Sequence, residues 1–523
     1  MCAIMDVPFI NSVSVLFFIE HAMHDKPSFA GRIVLALILM VCFYALALAL
    51  AGTLIFLPIG MVVFANRIPL KLAILSLIGG CMILWSIMPR WDRFIAPGPR
   101  LTEKDQPELF KQLQSIAHST EQAMPAEVYA LPEMNAWVAN RGGIMGIGSR
   151  RIMGIGIPLM QVLSSQQLRG VLAHEFGHYH GGDTKLGPWL YVTRSAIVRT
   201  VVNLASSGSS MYIPFEWYLK LFLSLTQKVS RQQEFTADAL AAKLVGPEAI
   251  GEALKVVHSK ALAFDGYWQN EYSPALERGY RPPMAQGFRE YSNAPLIKKA
   301  VEETLKQAME ESKSDIYDSH PALKERLSAI NLVNGPRASA NDPPAIDWIR
   351  DVDGLEKQMI DHMAKTLKVS APKAIGWTDT VERVLIPNYF QMLHDLGGNL
   401  KGLTLEQAAR KLSTAEKSGE LISATVLPHI TDGETKRSLA SQIVGTLSIL
   451  ALYLRGWAVQ NPMGQAPFVR NAQDDRIEPF EWMREFSEQK CSLDDLMAKY
   501  KEYQIDSFPI DEILNHKINS DAK

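Results

Sequence analysis

The residues best suited to chemistry lie between Ser164 and Asp183, where the chain reads His174-Glu175-x-x-His178. On an α-helix, positions i and i+4 share one face about a turn apart, so both imidazoles can reach a single metal ion. Glu175, next to the first imidazole, can lie beside water at that ion and take its proton. The flanks read as helix. Ser164 with Gln167 forms a capping box, Leu168, Val171, Leu172 and Phe176 supply a buried stripe, and Gly181-Gly182 ends the element. A core helix carrying two incidental histidines has the same spacing, so a third ligand must decide.

That ligand is sought in a second strong helix signal, Ser230 to Gly246, with Lys243 in its last turn and Gly246-Pro247 as its stop. Glu234 and Asp238 are i and i+4 and face the same way. A carboxylate from a second helix completes a two-histidine, one-glutamate zinc site with one position open for water. Asp238 can then accept the outer N–H of a zinc histidine and fix its tautomer. Taken alone, Glu-x-x-x-Asp is usually a solvated helix face; downstream of His-Glu-x-x-His it means more.

Other elements must position these helices. Glu108 to His118 reads as an amphipathic helix; Glu127-Val-Tyr-Ala, Ala136-Trp-Val-Ala and Arg150 to Ile157 read as strands. A strand ending just before a metal-bearing helix suits pairing with an extended peptide. The glycine-rich piece Arg141 to Gly148 is not G-x-G-x-x-G and no βαβ unit surrounds it, which argues against nucleotide binding.

Ile33 to Ala65 carries no charge. As one straight helix it would reach roughly 50 Å, against a hydrocarbon core of about 30 Å. A first span of about 33–57, broken near Pro58-Ile59-Gly60, and a second over about 69–88 follow, with Trp85 and Trp91 at the interface. Asp6, Glu20 and Asp25 and the missing basic n-region argue for a retained anchor rather than a cleaved signal. Lys26, Arg32, Arg90, Arg93 and Arg100 flank the pair, whereas only Arg67 and Lys71 lie between the spans. That bias expects both ends in the cytoplasm. From Thr184 to Gln227 apolar residues are interrupted by Arg194, Arg199 and Lys220. Helices that lie on the membrane or dip into it are expected there, with a soluble helical hairpin as the open alternative.

The 523 residues allow two or three domains, and the net charge of −2 gives no reason to expect nucleic acid. Cys42 and Cys81 fall in apolar runs, so the four cysteines make no disulfide framework and a reducing compartment is expected.

Ala173-His-Glu-Phe-Gly-His178 and Asp183, followed by Ser230-Arg-x-x-Glu-Phe-x-Ala-Asp238, resemble the HtpX-like and type 1 CAAX-prenyl-endopeptidase family of integral-membrane zinc metallopeptidases. Asn135-Ala136-Trp137-Val138 resembles that family's Asn-Ala-Phe-Ala strand beside the cleft. Ser319-His320-Pro321 with Arg326 resembles its Thr-His-Pro-Pro…Arg element. The resemblance covers about residues 33 to 333. It implies His174, His178 and Glu234 as ligands of one Zn2+, Glu175 as catalytic base, and His320 as a residue steadying the oxyanion or substrate. Departures are Ser319 for threonine, Ala322 for the second proline, and a less hydrophobic 184–227 segment. On its own, His320 reads more readily as a helix-start histidine before Pro321, and only the resemblance sets the catalytic reading level with that.

Phe264 to Asn293, rich in Tyr, Trp, Pro and Gly, reads as a lid over the cleft or as a packed irregular loop. Asn334 to Pro344 reads as a linker. Beyond it, helices are expected over about 347–366, 403–418, 435–458 and 492–503, the third a core helix in preference to another span. The expected fold is mainly α with a small β-sheet: a membrane hairpin over 1–95, a zincin-type domain over 96–336 and a helical domain over 337–523. The expected function is a membrane-anchored zinc endopeptidase acting on protein or peptide substrates beside the lipid bilayer, in bacterium-like quality control at the inner membrane. The rivals are a prenyl-protein processing peptidase and a scaffold that keeps the zinc fold but hydrolyses little.

Overall fold

The computed structural model describes residues 29–65, 70–88, 94–141, 149–178, 187–208, 210–310, 321–337, 339, 341–396, 398, 400–423, 427–430 and 432–516. The fold is mainly helical with small sheets. Two apolar helices open it, α1 (Phe29–Ala65) and α2 (Leu70–Ile87), both long enough to cross a membrane. The expected break at Pro58 does not form, and α1 continues through it. Proline costs one ladder hydrogen bond, but opening the helix in hydrocarbon would strand several backbone groups, so continuity wins.

Next come the sheet strands β1 (Arg100–Leu101), β2 (Glu127–Leu131), β3 (Ala136–Arg141) and β4 (Arg150–Gly156), in the order β1-β2-β4-β3. β2 and β4 are parallel; β3 runs antiparallel to β4, with Trp137 opposite Gly154 and Val138 opposite Met153. β3 is therefore an edge strand. Val128, Ala130, Ala136, Met153 and Ile155 put one face of the sheet into the main core, against α3 (Pro107–Ser119), α4 (Ile157–Val162) and α5 (Ser165–Gly177). On the other face the Trp137 indole lies across Gly154, where a Cβ would stand 2.6 Å from the ring.

After α5 the chain forms a long helical hairpin, α6 (Gly187–Ser206) and α7 (Tyr212–Val245). Its lower part packs on α1 and α2 through Phe43, Ala47, Ile83, Ile197, Phe215 and Phe222. The helix expected to begin near Ser230 is thus the end of one continuous element that starts at Tyr212. Gly246, at φ +93°, turns the chain into α8 (Pro247–Tyr267), a backbone shape that favours glycine.

The aromatic segment 264–293 is packed, not a lid: Tyr267, Tyr272 and Phe288 are fully buried. Its last helix, α9 (Met284–Asn293), is capped from a distance, Glu356 accepting the backbone N–H groups of Met284 and Ala285 at 2.9 and 2.7 Å. A short helix α10 (Leu323–Ile330) then returns to α7. The expected linker is a strap over the start of α5. Ser165 N donates to Pro343 O at 2.8 Å, Gln166 N to Asp342 at 2.8 Å and Ala345 N to Leu163 O at 3.0 Å. The main core continues past it into Trp348 and, on α11 (Val352–Leu367), Leu355, Met359 and Ile360. A second core gathers around α12 (Gly433–Leu454), whose Val444, Leu447, Ile449 and Leu450 have no exposed surface. That helix is apolar and long enough to span by composition, and the structure uses it as a core helix.

Candidate metal centre

The centre is built where α5 crosses α7. Helix α5 starts on the expected capping box: Ser164 Oγ accepts from Gln167 N at 3.3 Å and Gln167 Oε1 accepts from Ser164 N at 3.0 Å. Leu168, Leu172 and Phe176 lie in the core, each worth about 1.5–3 kcal/mol of burial, and so fix the helix's rotation. The opposite face presents His174, Glu175 lies at its flank, and His178 caps the helix one residue after Gly177; Gly181 and Gly182, the expected stop, fall outside the described residues. Gly177 touches α7 at Ala237, where a Cβ would come within 2.8 Å of the Ala237 Cα. Only a residue without a side chain lets the two helices approach this closely.

Across that contact Glu234 reaches both imidazoles. Its Oε2 lies 3.6 Å from His174 Nε2 and its Oε1 3.6 Å from His178 Nε2. The donor atoms of His174, Glu175 and His178 lie within 4.8 Å of one another. Ligand atoms about 2.0–2.1 Å from a tetrahedral ion stand roughly 3.3 Å apart, close to the 3.6 Å at which each Glu234 oxygen lies from one of the two imidazoles. Two neutral imidazoles and one carboxylate are donors that zinc accepts. Glu175 is half-buried, unlike Glu234 at 3% exposure, and so stays within reach of water.

Behind the ligands lies a buried ionic cluster. Asp238 Oδ1 sits 2.9 Å from His174 Nδ1. Arg326, from α10, forks onto Asp238 with Nε and Nη2 at 2.8 and 2.7 Å, and its Nη1 is 3.7 Å from Glu234 Oε2. Burial pushes the Asp238 carboxyl up, but the bonds from Arg326 and His174 outweigh it and hold the group at about 2. Asp238 is therefore an anion, which puts the His174 proton on Nδ1 and leaves the Nε2 lone pair facing Glu234.

His174, Glu175, His178, Glu234 and Asp238 thus come together as a single group. Asn135 to Val138 lie at the start of edge strand β3, which packs beside α5. His320, Ser319 and Asp183 fall outside the described residues. The Arg326 clamp has no local signal, since its partner is 88 residues away; only the resemblance singled that residue out.

Residues 103–333 match peptidase family M48. Among relatives, the protease HtpX of Idiomarina loihiensis is 29% identical over 199 residues, 34% of this chain and 67% of that protein. The protease HtpX of Tolumonas auensis is 26% identical over 279 residues, 48% of this chain and 82% of that protein. The protease HtpX homolog of Paenarthrobacter aurescens is 26% identical over 176 residues, 30% of this chain and 57% of that protein. No solved structure matches the chain.

Proposed function

Because residues 103–333 belong to peptidase family M48, we propose that this membrane protein is a zinc-dependent endopeptidase that hydrolyses protein substrates. The observation that carries the reading is the convergence of His174, His178 and Glu234 with a water-accessible Glu175 beside them. His174, His178 and Glu234 would hold the zinc ion. When bound, zinc supplies Lewis acidity toward a scissile carbonyl and toward water.

Glu175 takes a proton from the attacking water as the water oxygen bonds to the carbonyl carbon. It returns that proton to the amine nitrogen as the C–N bond breaks. Asp238 keeps the His174 proton on Nδ1, and Arg326 keeps Asp238 ionised. The free edge of β3, from Asn135 to Val138, pairs with the substrate and holds it extended across the centre. His320 steadies the oxyanion. The catalytic part, 96–336, faces the cytoplasm between the membrane hairpin of 1–95 and the helical region 337–523. The biological role is turnover of membrane or misfolded proteins, in keeping with relatives that carry the name protease.

The test is casein hydrolysis by the purified full chain, with and without a zinc chelator, beside Glu175→Gln. Hydrolysis by the wild type that is lost in both other arms is expected. Wild type and Glu175→Gln that bind zinc and are equally inert would support a scaffold instead.

A further inference from the structure

Helix α6 ends at Ser206 and α7 begins at Tyr212, and the depth of their near ends against α2 can be read from side-chain contacts. Near the top of α2, Ser86 accepts from Arg199 Nε through its carbonyl at 3.2 Å and from Asn203 Nδ2 through its hydroxyl at 2.8 Å. Trp85, exposed beside Ser86, marks the interface end of α2. The deepest contact of the turn is Met211, whose Cε comes within 2.7 Å of where a Gly79 Cβ would stand. Gly79 is the middle of the 18-residue α2. Below it, among the described residues, only α1 and α2 continue, with Phe56, Ile59, Phe64, Leu70 and Leu75 exposed.

The outer faces of α6 and α7 beside this contact carry Val198, Val202, Ile213, Trp217 and Leu221 as exposed apolar residues. They continue the apolar surface of α1 and α2, so the occupant that fits is lipid hydrocarbon. On α7 Glu216 pairs with Lys220 at 2.9 Å, and Lys220, about 12 Å along the helix from Tyr212, is close enough to headgroup level to snorkel there only if the turn is no deeper than about mid-bilayer.

We propose that α6–α7 is a same-side anchor that turns back at or above mid-bilayer and stands the metal centre off the membrane, so that membrane-bound substrates need a protruding segment. The substrate half of this rests on the peptidase reading above. Glu234 and Tyr212 lie on one uninterrupted helix, and the 22 residue steps from one to the other correspond to roughly 33 Å at 1.5 Å per residue. If the turn reaches no deeper than about 15 Å, half the hydrocarbon thickness, the centre stands close to 20 Å or more above the hydrocarbon. An extended chain advances about 3.3 Å per residue, so the shortest productive tether is about six residues beyond the substrate's last membrane-embedded position.

Two measurements on the full chain in liposomes test this. In a background with the native cysteines replaced, Ser207→Cys and Leu70→Cys are challenged with an impermeant maleimide from the side opposite the peptidase part. Leu70→Cys is expected to label and Ser207→Cys to stay unlabelled; equal labelling of both overturns the anchor. A single-span substrate is then given Gly/Ser spacers of about 2 to 20 residues before a casein-derived segment, with soluble casein in parallel. Cleavage is expected to be at least about tenfold slower for spacers that cannot reach 20 Å when extended. Casein hydrolysis with no spacer dependence overturns the stand-off while leaving the peptidase reading intact. Inert casein overturns the peptidase reading and with it the substrate half, while maleimide labelling still decides the anchor.

Discussion

At the scale of single residues, the centre separates charge that binds from charge that holds. Glu234 is nearly sealed and lies against both imidazoles, whereas Glu175 is only half-buried. Glu175→Gln should therefore cut peptide hydrolysis by about 10²–10⁴-fold, the range of general-base contributions, with zinc affinity unchanged by equilibrium titration. Asp238 lies 2.9 Å from His174 Nδ1 and 2.7 Å from Arg326 Nη2, so the carboxylate and the guanidinium compensate each other's burial, and in the proposed site Asp238 sets the His174 tautomer. Asp238→Asn should weaken zinc binding by about 10–100-fold, as outer partners of metal ligands do. Arg326→Lys should reproduce part of that loss, because an ammonium cannot fork onto a carboxylate. The two strings that the structure brings together were readable because i, i+4 spacing is a local property. The Arg326 fork was not, because pairing α10 with α7 across 88 residues leaves no mark in either helix.

At the scale of elements, the crossing of α5 and α7 decides whether three donors can meet. Gly177 sets that distance through its contact with Ala237. Gly177→Leu should push α7 outward and lower zinc affinity, with far-ultraviolet circular dichroism unchanged; unchanged affinity would show that the crossing tolerates a side chain. Remote caps matter too. Glu356→Gln leaves one oxygen for two buried N–H groups, so α9 should lose about 1–3 kcal/mol, read as a lower urea midpoint. Strands β2, β3 and β4 and the end of α7 follow directly from apolar alternation and a Gly-Pro stop. The continuity of α7 from Tyr212 does not, because the charged residues Arg231 and Lys220 interrupt its apolar pattern while its packing against Phe43 sustains it.

At the scale of the whole molecule, two apolar helices hold the chain to a bilayer and a continuous α7 joins that region to the centre. The main core takes in residues well beyond the family match, including Trp348, Leu355 and Met359. Truncation after residue 336 should therefore expose apolar surface and yield aggregated protein without a cooperative thermal transition, whereas an active, monodisperse 1–336 fragment would contradict this packing. The strap over α5 reads as a linker from its Pro, Asn and Gly content, because composition reports turns and not what the turns are bonded to. All of these parts serve one meeting of side chains, so the most direct measurement is a zinc titration of wild type beside Glu234→Ala. One equivalent bound by wild type, with affinity at least about a hundredfold weaker in the variant, is the expected result. Equal zinc affinity in both proteins would contradict the assignment of Glu234 as the third ligand.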